Sequence, residues 1–257
     1  MEGDPHMRLH SIRVLSASAL ASLFGIAVAP AQAVEFTLQV FADGVDISNG
    51  GVDQTRLGCV DNADGVSAHC EVSDLVYGGE YPLVNIDTLS LDLDSDPVVT
   101  GTTAVTNLFN VTQQITLLFT LPIAPAITPN TRTSGSYRGT VTDNDGNGAT
   151  VATVPGSSLY AALIDGVIHQ TLYNHSSSTS AGSFLSATIP NLSFGLPGQT
   201  QLAPQALASI GIRLDFTLTA LDSASFTSNH VVLPVPEPAT VGFLGLGLAL
   251  IARKRRA

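Results

Sequence analysis

The stretch that decides the fold class is Leu159-Tyr160-Ala161-Ala162-Leu163-Ile164-Asp165-Gly166-Val167-Ile168-His169-Gln170-Thr171-Leu172-Tyr173. Two runs rich in aliphatic, β-branched and aromatic residues flank the dipeptide Asp165-Gly166. Asp-Gly favours a two-residue type I′ turn, because both central residues of that turn need positive φ. The stretch therefore predicts an antiparallel β-hairpin.

The same β-type pattern continues on both sides of this hairpin. Apolar and polar residues alternate with a period of two, which fits half-buried strands, in 35–41, 85–94, 111–121 and 212–220. Residues 190–204 are rich in Gly, Pro and Gln and predict a loop.

Roughly ten short strands separated by turn residues are typical of an all-β antiparallel β-sandwich. A jelly roll is the nearest variant of this fold. We expect three parts: an N-terminal signal segment at 1–33, a β-sandwich body at 34–233, and a C-terminal tail at 234–257. A signal helix and a C-terminal hydrophobic helix would thus flank the sandwich.

The charge of the body excludes one class of function. Between Val34 and Pro236, four arginines stand against 18 acidic residues, which gives a formal net charge of −14. Such a segment repels nucleic acid and has no basic stripe to neutralise phosphates. Charged residues make up only 12% of the whole chain, so we expect exposed faces covered by hydroxyl groups.

The N-terminal segment has the three parts of a secretory signal. Its apolar run covers 14–28, and the small residues Ala31 and Ala33 stand at the positions that signal peptidase accepts, so we predict cleavage after Ala33. The alternative, a permanent membrane helix, needs about 20 apolar residues. Met7 is an alternative start of the chain. The basic residues ahead of the run are Arg8, His10 and Arg13.

The C-terminal segment also has three parts. Pro236-Glu237-Pro238 keeps the chain extended, because each proline fixes φ and removes a donor. The apolar run 239–252 predicts a short helix of about 21 Å. The basic cluster after it would stay in the cytoplasm, which places the body outside. That cluster consists of Arg253, Lys254, Arg255 and Arg256.

These three parts together resemble the PEP-CTERM sorting domain over about 23 residues. The resemblance implies recognition by an exosortase, a membrane-embedded cysteine-dependent enzyme that cuts at or near Pro236-Glu237-Pro238. It implies a precursor anchored transiently in the inner membrane with its body in the periplasm, and later delivery to the cell surface or the medium. Family members occur in Gram-negative bacteria that often make exopolysaccharide, which is therefore a further expected partner. The alternative is an ordinary tail anchor.

Cys59 and Cys70 are the two cysteines of the chain. An even count in an exported protein predicts a disulfide. The alternative is a metal site that uses both thiols together with His69.

Residues 143–148 contain the first half of a calcium-loop pattern. Asp143, Asp145 and Asn147 would surround one point, and Gly148 would allow the sharp turn. The twelfth position of the pattern is Val154 rather than a bidentate Glu. A polar turn without metal is the alternative. Calcium is the only cofactor that the sequence suggests.

No catalytic motif stands out, and we assign no catalytic residue. The first hypothesis is a non-enzymatic surface or matrix protein associated with exopolysaccharide. A surface hydrolase and a calcium- or glycan-binding module are the alternatives. The hydrolase would need a cleft lined by carboxyl groups with raised pKa values.

Overall fold

The computed structural model of the protein describes residues 36–235, except 53–54, 63–66, 79–82, 95–96, 129–130 and 175. In this part of the chain the regular structure consists of strands. They are β1 (Thr37–Ala42), β2 (Val45–Asp46), β3 (Cys59–Asp61), β4 (Ser67–Tyr77), β5 (Val84–Asp94), β6 (Val98–Asn107), β7 (Gln113–Pro122), β8 (Thr131–Thr142), β9 (Ala149–Thr153), β10 (Ser158–Ile164), β11 (Val167–Asn174), β12 (Ser178–Ala181), β13 (Ser186–Phe194), β14 (Gln201–Ala203), β15 (Ser209–Leu218) and β16 (Ser223–Pro234).

The strands form two antiparallel sheets of eight strands each, as the all-β prediction requires. The first sheet has the order β11-β10-β15-β7-β1-β2, and β9 pairs with both β15 and β12. The second sheet has the order β13-β8-β16-β6-β5-β4-β3, and β14 pairs with β8. Hairpins join consecutive strands from β3 to β6, whereas β1 with β7 and β16 with β6 come from distant parts of the chain, so the fold combines local and long-range pairing.

Alternating burial explains why these segments form strands. In β7, the side chains of Ile115, Leu117 and Phe119 are buried, whereas those of Thr116 and Leu118 between them are only partly buried. Successive side chains of a strand point to opposite faces, so one apolar set lines the core. The strand predicted at 111–121 is confirmed in this way.

Aromatic side chains join the two sheets. Phe216 of β15 lies against Phe226 of β16, with ring centroids 4.8 Å apart. Tyr137 of β8 contacts Tyr160 of β10 and Tyr173 of β11 at 6.0 and 5.9 Å. Each contact pairs one sheet with the other, so the inner faces pack as in a sandwich.

The predicted hairpin is present. Asp165 and Gly166 have φ values of 50° and 75°, as a type I′ turn needs, and Ile164 pairs with Val167. The Asp165 carboxylate accepts hydrogen bonds from the backbone N–H groups of Leu207, Ala208 and Ser209. Burial alone would raise the pKa of Asp165, but these three donors outweigh it and lower the pKa. The turn is thereby fastened to the start of β15.

The prediction of a loop at 190–204 is wrong in part. Strand β13 extends to Phe194 and β14 covers Gln201–Ala203. Strand β13 is an edge strand with mostly exposed side chains, so burial imposes little apolar alternation on its sequence. Its register shifts between Ile189 and Leu192, and this irregularity accommodates Pro190, which has no N–H to donate.

The two predicted flanking helices fall on 1–33 and 239–252, outside the described residues. Within the described residues, no helix is long and apolar enough to cross a bilayer.

Candidate functional site

The first candidate site is the end of β16, where the body meets the tail. Strand β16 pairs with β8 as far as Pro234 and with β6 as far as Val231, and Val232 donates a backbone hydrogen bond to Pro97 O at 3.0 Å. Its last residue lies one position beyond the body boundary expected at Leu233. A single residue, Val235, separates Pro234 from Pro236.

A groove lies beside this end of β16. It encloses about 200 Å³ and has an apolar wall. Thr128, whose side chain is exposed, also lines it. The apolar wall consists of Pro97, Pro125, Ala126, Ile127, Leu233 and Pro234.

The predicted terminal site residues lie outside the described part of the chain. They are Ala31, Ala33, Pro236, Glu237, Pro238, Arg253, Lys254, Arg255 and Arg256.

A second candidate site is a cluster of three carboxylates. Asp143 and Asp145, two of the three residues of the calcium-loop pattern, follow β8, and Asp222 joins them from the turn between β15 and β16. One oxygen of each carboxylate lies within 4.8 Å of the others. Asp143 and Asp222 are buried, whereas Asp145 is exposed.

Hydrogen bonds hold this acidic cluster together. Asp143 accepts from the backbone N–H groups of Gly148 at 3.0 Å and Phe184 at 2.5 Å. Asn147 donates both its backbone N–H and its side-chain amide to Asp145, so it supports Asp145 more than it supports the centre of the cluster. Sequence reasoning missed Asp222, because a contact between distant turns leaves no local spacing pattern.

The three carboxylates of the acidic cluster repel one another unless one of them is protonated or a cation is bound. Burial raises the pKa of Asp222, hydrogen bonds from Thr219 and Asn144 oppose that rise, and the charges of Asp145 and Asp143 add to it. Carboxylate oxygens are the ligands that calcium prefers. The three carboxylates therefore bring three oxygens of that kind within 4.8 Å of one another.

Asp222 does not suit the role of a general acid in a hydrolase. Burial raises its pKa, as a general acid requires, but its side chain has no solvent exposure. A substrate cannot reach a carboxyl group in that position.

A third polar group lies on the outer face of the first sheet. The Asp215 carboxylate accepts hydrogen bonds from Ser157 Oγ at 2.6 Å, Thr116 Oγ1 at 3.0 Å and Gln114 Nε2 at 3.1 Å. Arg213 donates one long hydrogen bond of 3.4 Å to Ser157. This network pins the segment before β10 to β15. The sequence did not reveal it, because cross-strand neighbours depend on register.

Residues 234–256 match the family model of the PEP-CTERM protein-sorting motif. The chain ends in a PEP-CTERM sorting motif. This motif implies an exported protein that an exosortase processes. It starts at Pro234, the last residue of β16, so the folded body and the sorting motif share a residue. No curated protein matches the chain.

The predicted disulfide joins Cys59 and Cys70, which face each other across β3 and β4. Their sulfur atoms are bonded to each other, so they are not available as thiolate ligands. His69 instead pairs with the Asp92 carboxylate at 2.8 Å.

We expect reduction of this disulfide to lower the free energy of unfolding by about 3 kcal/mol, because the bond restricts the unfolded chain. Urea unfolding with and without a reducing agent measures the difference. The double variant Cys59→Ser, Cys70→Ser is the control and should not respond to the reducing agent. Equal stability of the oxidised and reduced wild-type protein would contradict the expectation.

His230 of β16 is fully buried between the sheets. Its Nδ1 lies 3.1 Å from Gly211 O and its Nε2 lies 3.1 Å from Thr133 Oγ1. Burial lowers the pKa of His230 to about 4, the Gly211 carbonyl opposes this, and the charge of His169 adds to it. The ring is therefore neutral and donates from Nδ1.

This histidine should make the protein less stable in acid. Between its ordinary pKa of 6.5 and the folded pKa of about 4, the unfolded state binds more protons than the folded state. The contribution of His230 to the free energy of unfolding is thus complete above pH 6.5. As the pH falls towards 4, this contribution decreases by about 3 kcal/mol in all. Urea unfolding from pH 7 to pH 4 tests this, with His230→Asn as the non-titrating control. If that variant proves unfolded, NMR titration of the wild-type ring replaces it; protonation near pH 6.5 would contradict the assignment.

Proposed function

We propose that the protein is a non-enzymatic component of the cell surface or extracellular matrix, which is exported, processed at Pro236-Glu237-Pro238 and then retained in or released from an exopolysaccharide layer. The observation that carries the proposal is the PEP-CTERM motif, which starts where the last strand of the body ends.

The position of the motif suits a signal that is removed. All the described strands precede Val235, so a cut at or after Pro236 leaves both sheets complete. The Cys59–Cys70 disulfide suits an oxidising compartment outside the cytoplasm. In the proposed route, signal peptidase removes 1–33 and the segment 239–252 holds the precursor in the inner membrane, with the body in the periplasm.

Association with exopolysaccharide draws support from the outer face of the second sheet. Hydroxyl groups pair across neighbouring strands there, with Oγ–Oγ distances of 2.8 to 3.3 Å. Hydroxyl groups can exchange such partners for the hydroxyls of a glycan without exposing a charge. The pairs are Thr102 with Thr227, Thr140 with Ser225, and Thr142 with Ser186.

Sorting is tested in the cells that make the protein. We expect the triple variant Pro236→Ala, Glu237→Ala, Pro238→Ala to accumulate as the unprocessed precursor, and deletion of 236–257 to send the body into the medium. Immunoblots of cell and medium fractions measure both outcomes. An exposed triple substitution at the far end of the body, Asn110→Ala, Val111→Ala, Thr112→Ala, is the control and should sort normally. Normal processing of the Pro236–Pro238 variant would reject the proposed route.

Calcium binding is a second candidate function, because the Asp222 carboxylate lies beside those of Asp143 and Asp145. A cation would relieve the repulsion among three carboxylates, two of which are buried. The same repulsion weakens the fold when no cation is bound.

We therefore expect Asp145→Asn to have a higher melting temperature than the wild type without calcium and a lower one with saturating calcium. Without calcium it should raise the melting temperature, because it removes a like charge from the acidic cluster. At a calcium concentration about 100 times the dissociation constant, the wild type should gain about 2.7 kcal/mol and the variant should gain much less. Thermal melting in EDTA and in millimolar calcium measures both effects, and Asp92→Asn is the control. A wild-type melting temperature that calcium leaves unchanged would exclude this second function.

A further inference from the structure

The distance from the folded body to the processing site has a strict upper limit. A fully extended chain covers at most about 3.6 Å per residue, whatever conformation it adopts. Pro234 is held in β16 by its pairing with Thr131 of β8. The peptide bonds around Pro236 and Pro238 therefore lie within about 7 and 14 Å of the sheet end.

This limit has a consequence for any enzyme that cuts there. A protein active site encloses the bond it cleaves, and the walls of even a small domain extend more than about 10 Å from it. An enzyme that closes around the bond at Pro236, at most about 7 Å from the sheet end, therefore comes within contact distance of the loops next to Pro234. Those loops hold Pro97 on one side and 125–128 on the other.

The surface that would be touched is apolar and concave. Exposed Pro125 and Ala126, together with Leu233 and Pro234, line the groove of about 200 Å³, and none of its described lining residues is charged. The segment from Val34 to Pro236 has a net charge of −14, so an apolar groove stands out from the rest of its surface. An apolar groove of this kind would bind an uncharged, apolar surface of a partner protein.

We propose that this groove is a docking surface for the exosortase, so that the folded body forms part of the substrate and the tail alone is not the whole recognition element. The occupant is the apolar rim of the opening of the enzyme's active site. The proposal rests on the proposed function, because it requires an exosortase to cut near Pro236.

The test follows the rate of processing in pulse-labelled cells. Thr128→Arg and Ala126→Arg place a charge in the groove at exposed positions, and the matched control Thr112→Arg places the same charge at an exposed position at the opposite end of the body. A second set of chains carries a ten-residue Gly/Ser linker between Val235 and Pro236, which adds an average reach of about 17 Å. Melting temperatures show that each variant folds.

We expect Thr128→Arg and Ala126→Arg to slow processing at least about fivefold, the effect of an unpaired charge in an apolar contact. Thr112→Arg should be processed at the wild-type rate. With the linker, which separates the groove from the processing site, the chain without a groove substitution and both groove variants should be processed at one common rate below that of the wild type. Wild-type rates in the groove variants without a linker would overturn the docking surface, as would equal slowing by Thr112→Arg or a linker that leaves the wild-type rate unchanged. The Pro236–Pro238 triple alanine variant separates the two proposals. If it is not processed while the groove variants are processed at the wild-type rate, only the docking surface fails; if it is processed normally, the proposed function fails and the docking surface fails with it.

Discussion

The structure depends on the position of β16 inside the second sheet. This strand is hydrogen-bonded on one edge to β8 and on the other to β6, and its Phe226 packs against Phe216 of the opposite sheet. A strand held on both edges and on its inner face cannot leave the sheet without breaking the core. The last strand before the sorting motif is thus one of the most firmly held elements of the body.

Three features of the molecule meet on this strand. The turn that begins it supplies Asp222 to the acidic cluster, its middle carries the buried neutral His230, and its end at Pro234 enters the PEP-CTERM motif. The fold therefore fixes the starting point of the tail, and with it the distance over which a processing enzyme can act.

The elements that sequence predicted are those with strong local signals. Asp165-Gly166 identified the hairpin, because few dipeptides suit two consecutive positive φ values. The sequence suggested too few strands, because edge strands such as β13 have exposed and mostly polar side chains, and because Pro190 at a bulge resembles loop sequence. The disulfide followed from the cysteine count and the expected compartment.

The candidate sites also contain residues that local sequence patterns identify and residues that they do not. Local spacing found Asp143 and Asp145, whereas Asp222 and the Arg213–Asp215 network depend on register and tertiary packing, which a single sequence does not encode in any short pattern. The sorting motif was recognisable because its three parts are contiguous in the sequence.

The mass of the C-terminal peptide of the mature protein, isolated from the producing cells, tests the central claim most directly. If β16 stays in the sheet and an exosortase removes the tail, the chain should end between Val235 and the first residues after Pro238. A mature chain that ends before Pro234 would mean that β16 is not a fixed part of the body. A chain that retains the Arg253–Arg256 cluster would mean that the sorting motif is not processed.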